Sequence, residues 1–141
     1  MTRSAAHTEQ GQAAVLLIGV LALAVAFVGV AVDGARLFTA RRDLSSIADS
    51  AALAGASAID DDVYRASLGR DIRIDAPRAR EVVAAVVGGA GLQPGLQVDV
   101  TVEANAIEVR LVRPVATTFL RAVGLGEERI GAHARAAPRR N

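Results

Sequence analysis

Hydrophobic and polar positions divide the chain into stretches of different period. From Ala13 to Val32, twenty residues pass without a charged or polar side chain. At about 1.5 Å of rise per residue, such a helix covers the roughly 30 Å hydrocarbon core of a bilayer. From Leu37 a new pattern sets in: Leu37, Ala40, Leu44, Ile47, Ala51, Ala54 and Ala58 alternate at three- and four-residue spacing, the a and d positions of a heptad seam. Arg42, Asp43, Ser45, Ser46, Asp49, Ser50 and Ser57 take the side suited to water. No Gly-Pro break separates the two stretches, so the pattern predicts one helix from the membrane to about Ile59.

Beyond Ile59 the periods shorten. Asp60-Asp61-Asp62 ends the stalk and offers a cap for a short helix through Tyr64, Leu68 and Ile72. Asp75-Ala76-Pro77 reads as a helix start, with Ala79, Val82, Val83, Val86 and Val87 on one face until Gly88-Gly89 stops it. Val98, Val100 and Val102 then alternate with polar neighbours, and Ile107, Val109 and Leu111 repeat the device. Ala104-Asn105-Ala106 joins the two as an antiparallel hairpin. Pro114 is expected to close the second strand. Thr117 or Thr118 would cap a short helix bearing Phe119, Leu120 and Val123, with Gly124 as its stop. A last strand, Arg129 to Arg135, turns Ile130, Ala132 and Ala134 to one side. The expected fold class is α+β: a long transmembrane-plus-stalk helix, then a small antiparallel sheet with two or three short helices.

Composition narrows this picture. Of 141 residues, about sixty are spent on anchor and stalk, leaving one small domain. Its expected boundaries are an N-terminal segment 1–11, a membrane and stalk helix 12–59, the α+β domain 60–135 and a flexible tail 136–141. Aromatic content is 3 % with no Trp, so Val, Ile, Leu and Ala must build the core. The net charge of +1 gives no excess to attract nucleic acid by counterion release. Without cysteine, the chain has no disulfides, no thiolate metal sites and no Cys nucleophile.

Three readings compete for residues 12–32. A cleavable signal has a shorter apolar core followed by a polar stretch, whereas the A-x-A matches here, at Ala22 to Ala26, lie inside the run. A buried soluble helix would need a larger domain around it. A membrane anchor remains. Arg36, Arg41 and Arg42 follow the span while only Arg3 and the terminal amine precede it. Read literally, that bias puts the C-terminal domain in the cytoplasm, and charge alone leaves topology open.

Small residues recur at four-residue spacing, as Ala22/Ala26 in the span and as Ala48/Ala52/Ala56 and Ala51/Gly55 in the stalk. With Leu37, Leu44 and Ile47 they form a seam along which helix backbones approach closely. Two readings stay open: the stalk packs on its own C-terminal domain, or on other helices in an assembly. Asp33 and Arg36 are the charges at the membrane exit. Asp33 is expected to be solvated by headgroups and neutralised by Arg36 at i+3, with an interchain charge contact as the alternative.

The stretch GQAAVLLIGVLALAVAFVGVAVDGARLFTARRDLSSIADSAALAGASA resembles the N-terminal module of TadE/TadG-like proteins of the Flp (Tad) pilus machinery. The likeness rests on Gly11, Ala31-Val32-Asp33, Arg36, Arg41-Arg42, Leu44, Ala48-Asp49 and Ala51-Ala52-Leu53-Ala54. It implies a single-pass protein of the bacterial cytoplasmic membrane, with the N-terminus inside and the C-terminal domain extracytoplasmic, that serves pilus assembly without catalysis. It further implies prepilin-type processing between Gly11 and Gln12, for which members carry Glu five positions after the Gly. Here that position is Leu16, as in the TadG-like branch. The departure points to an unprocessed, retained accessory or minor subunit. Full TadG proteins also carry a larger C-terminal domain than this chain has room for.

Chemistry-bearing residues do not converge. His7 and His133 lie on opposite sides of the span in sequence, and His133 falls on the polar face of its strand. Ser45, Ser46 and Ser50 lack a base to activate them, Asp60-Asp61-Asp62 lacks the spaced oxygens of a calcium loop, and GGAGLQPG and GLGEERIG lack the Lys and spacing of phosphate loops. No catalytic residue, metal ligand or cofactor is expected. The expected partners are the lipid bilayer, other pilus subunits through helix packing, and a second copy of the chain; nucleic acid is not among them. The alternative is a signal-anchored extracytoplasmic binding or regulatory module unrelated to pili.

Overall fold

The computed structural model describes residues 5–91 and 94–139. Residues 1–4 of the N-terminal segment, Leu92 and Gln93 of the Gly-rich turn, and Arg140 and Asn141 of the tail lie outside the described residues.

One helix, α1, runs Ala5–Ala56, roughly 80 Å at 1.5 Å per residue. Its final residue precedes the expected end near Ile59. Ser57 Oγ and the Ala58 N–H turn back onto the carbonyls of Ala54 and Gly55, which frees Ile59 to form a single antiparallel bridge with Ile74. Asp60 then caps α2, Asp61–Ala66, by accepting the N–H groups of Asp62 and Val63 at 3.1 Å. The helix does not extend to Leu68 and Ile72 as the spacing suggests. Leu68 has φ 54° and is followed by Gly69 at φ 78°, a left-handed pair that ends any helix. Asp75 caps α3, Ala76–Gly89, with Pro77 in the first turn, where its missing N–H has no cost.

Strands β1 (Gln97–Val102), β2 (Ile107–Ala116) and β3 (Glu127–Ala136) form an antiparallel sheet in the order β1-β2-β3. Val102 pairs with Ile107 across the Ala104–Ala106 connection, closed by the Glu103 N–H on the Ala106 carbonyl at 2.8 Å. Pro114 does not end β2 as expected. The β1 ladder stops at Gln97 opposite Val112, so beyond that point β2 pairs only with β3, Pro114 lying opposite Arg129. A proline without an N–H is tolerated where one neighbour has already ended. The last strand is correspondingly longer than Arg129–Arg135, and Ala136 of the expected tail pairs with Ile107.

The inner face of the sheet carries Ile107, Val109 and Leu111 from β2 and Ile130, Ala132 and Ala134 from β3, all buried. The cover is the stalk half of α1, which lies across β2 and β3, while α3 packs along α1 through Ala79, Val83 and Val87. Ala48, Ala51 and Ala52 of α1 and Ala132 and Ala134 of β3 belong to one buried cluster, and small side chains on both elements let helix and sheet approach closely. At Gly55 the three layers meet: a Cβ there would lie 2.6 Å from Ile107 Cδ1 and 2.9 Å from Val83 Cγ2. On β1, at the sheet edge, Val98 is exposed and Val100 and Val102 are half-buried. Among the described residues, the domain's buried cluster is shared with the stalk half of α1.

Candidate functional site

The connection between β2 and β3 reaches the turn of α1 at which the uncharged span ends. Asp33, the first residue beyond that span, is 1 % exposed. Its carboxylate accepts the N–H of Thr118 at 3.1 Å from each oxygen, and Oδ2 accepts those of Phe119 at 2.6 Å and Leu120 at 2.9 Å. These amides open the 3-10 turn Leu120–Val123, where first-turn N–H groups have no intrahelical acceptor. The capping group comes from the anchor helix rather than from Thr117 or Thr118, as the local sequence suggests. Charge-assisted bonds of this kind are stronger than neutral ones.

Asp33 is therefore not the headgroup-solvated boundary charge that its position implies. A carboxylate three residues from Arg36 has a ready partner, but here Arg36 Nη1 donates to Thr118 Oγ1 at 3.3 Å while the backbone takes the carboxylate. The Leu120 N–H contributes most to holding the Asp33 carboxyl below the ordinary carboxylate range; burial opposes this, and the Thr118 and Phe119 amides and Arg36 add to it. The loop closes on itself through the buried Thr117, whose hydroxyl donates to the Leu125 carbonyl and whose N–H donates to that of Gly126 at 3.1 Å. Gly124 ends the turn at φ 88°.

Just below Asp33, the ring of Phe119 rests on Gly29. A Cβ at position 29 would come within 2.8 Å of Phe119 Cε1, closer than packed carbon atoms approach. Gly29 is buried, whereas the other residues from 11 to 32 are exposed. Neither Gly29 nor Phe119 carries a local signal of the contact. The available hints were a glycine among bulky residues near the end of the span and a lone acid one turn later, but their partners lie more than eighty residues away. Alongside them, an open groove of about 480 Å³ is lined by Val32, Ala35, Arg36, Thr39 and Arg113, whose Nε is buried without an acceptor.

Residues 11–58 match the family model described as putative Flp pilus-assembly TadE/G-like. Over this segment, about a third of the chain, the sequence is similar to TadE/G-like proteins. No curated protein and no solved structure matches the chain.

The TadE/G-like segment thus contains the span, Asp33 and the whole small-residue seam, and the fold divides that seam in two. Leu44, Ala48, Ala51, Ala52 and Gly55 are buried, and Leu37 and Ile47 half-buried, against the chain's own sheet and α3. The stalk part of the seam thus packs on the chain's own C-terminal domain. Ala22 and Ala26 in the span remain exposed. Gly11 and Gln12 lie within α1, both exposed, and Leu16 is 64 % exposed one turn further on. His133 is exposed on the outer face of β3. Among the described residues, no three His, Asp or Glu side chains gather at metal-ligand spacing.

Proposed function

We propose that the chain is a membrane-anchored, non-catalytic accessory or minor subunit of a Flp/Tad-type pilus assembly apparatus. The reading is carried by the coincidence of the TadE/G-like segment with the helix that is both span and domain spine. An anchor whose stalk half is the core of its own domain fixes that domain at the membrane surface. It leaves the span, through Ala22 and Ala26, as the helix surface open to other subunits or to a second copy.

In this reading the N-terminus is cytoplasmic, the domain extracytoplasmic, and the chain crosses the membrane once. Leu16 in place of the acid that a processed pilin uses supports retention in the membrane without cleavage at Gly11. Deletion of the coding region is expected to abolish or reduce surface pili, with the protein co-purifying with other pilus components from detergent extracts. Intact pili on deletion would favour the signal-anchored binding module instead. Intact mass of the membrane-purified chain should retain the residues before Gln12, and a chain beginning at Gln12 would refute retention without processing.

A further inference from the structure

We propose that the β2–β3 connection is a second membrane contact, inserting Phe119 and Leu125 into the headgroup boundary of the bilayer beside the anchor helix. The depth follows from Gly29. It precedes the end of the uncharged span by three residues, about 4.5 Å of helix rise, and the Phe119 ring lies against it. A ring at that height is level with the outer edge of the hydrocarbon wherever the span itself crosses. Despite this contact, Phe119 stays 43 % exposed, and Leu125, on the same connection, is 51 % exposed.

Two further features fit lipid as the occupant. Arg121 is exposed on the 3-10 turn, and Arg36 and Arg113 line the groove next to the exit, with Asp43 about two turns of α1 further from the span; in the proposed contact the arginines meet lipid phosphates. Apolar tips with an arginine rim are the composition of interfacial membrane anchors. Asp33 sets the position of this contact. By holding the amides of Thr118, Phe119 and Leu120 it fixes the connection at the depth at which its side chains meet lipid. The contact is continuous with the surface of the span and rests on the membrane-anchor reading above.

The absence of Trp from the chain makes the test direct. Full-length single-Trp variants, Leu125→Trp, Phe119→Trp, Phe27→Trp in the span and Tyr64→Trp on α2, are reconstituted into phosphatidylcholine and phosphatidylglycerol vesicles with and without brominated acyl chains. Leu125→Trp and Phe119→Trp are expected to emit to the blue of Tyr64→Trp and to lose emission in brominated vesicles, as Phe27→Trp does. Leu125→Trp unquenched while Phe27→Trp is quenched overturns the loop contact and leaves the anchor standing. Phe27→Trp unquenched overturns both. Leu125→Trp, which leaves the Phe119 ring on Gly29 in place, decides the matter if Phe119→Trp fails to fold.

Discussion

The Oδ2 of Asp33 and the backbone nitrogen of Phe119 lie 2.6 Å apart across 86 positions of sequence. Through that bond the start of the stalk holds the far end of the domain, and the sheet is tied to the membrane exit at its base as well as along its face. A stalk that merely carried a domain would leave its orientation free. Here the span, the exit charge and the β2–β3 connection form one unit.

Because the Asp33 carboxyl is held below the ordinary aspartate range, the sign of its pH dependence is fixed. The stabilisation is fully present above the unfolded value of about 3.9 and is lost as pH falls through the lower folded value. In a micelle-embedded sample, the Phe119 amide resonance is expected to titrate with a midpoint below that of an unperturbed aspartate. A midpoint at or above the ordinary value would show that the carboxylate does not accept these bonds.

Gly29 and Phe119 should behave as a coupled pair. Gly29→Ala forces the ring away, and Phe119→Ala removes the conflict. A double-mutant cycle on thermal unfolding in detergent is therefore expected to give a coupling energy of about 0.5–3 kcal/mol. Strict additivity would place the ring elsewhere.

Within the domain, burial sets the ranking. Ile107, fully buried between α1 and the sheet, is expected to cost about 2–5 kcal/mol on replacement by Ala. Val98, 44 % exposed on the edge strand, should cost well under about 1 kcal/mol. Chemical unfolding of the two variants checks the order, and equal losses would mean that the sheet face is not covered by α1.

The seam offers a chemical test, since the natural chain has no cysteine. Ala48→Cys, at a position with 0 % exposure, is expected to react with a maleimide on the order of 100-fold more slowly than Ser46→Cys in dilute, monodisperse detergent solution, because reaction requires local opening. Comparable rates would mean that the stalk seam is open in the single chain.

Local periodicity carried most of the fold. The twenty-residue run, the heptad seam, the alternation at Ile107, Val109 and Leu111, and the caps at Asp60 and Asp75 are short-range patterns, and each marks an element that forms, although α1 stops at Ala56 and the helix capped by Asp60 stops at Ala66, short of the ends the spacing suggests. Pro114 shows the limit of such reading. Whether a proline breaks a strand depends on where the neighbouring strand stops, and that register was set by the hairpin rather than by Pro114. The exit site was harder still. Asp33 and Arg36 formed a plausible pair at i+3, and only tertiary structure brings unsatisfied amides from residues 118–120 to compete for the carboxylate. The TadE/G-like pattern marked Asp33 as part of a motif without giving its partner.

Amide-resolved hydrogen exchange on the full chain in membrane mimetics, comparing the natural protein with Asp33→Asn, tests the clasp between anchor and domain most directly. Asn offers one acceptor oxygen and places an amide where the second oxygen stood. Exchange at Thr118, Phe119 and Leu120 is expected to accelerate in the variant while Val109 and Ala134 in the sheet keep their protection. Unchanged exchange at those three amides would contradict the account.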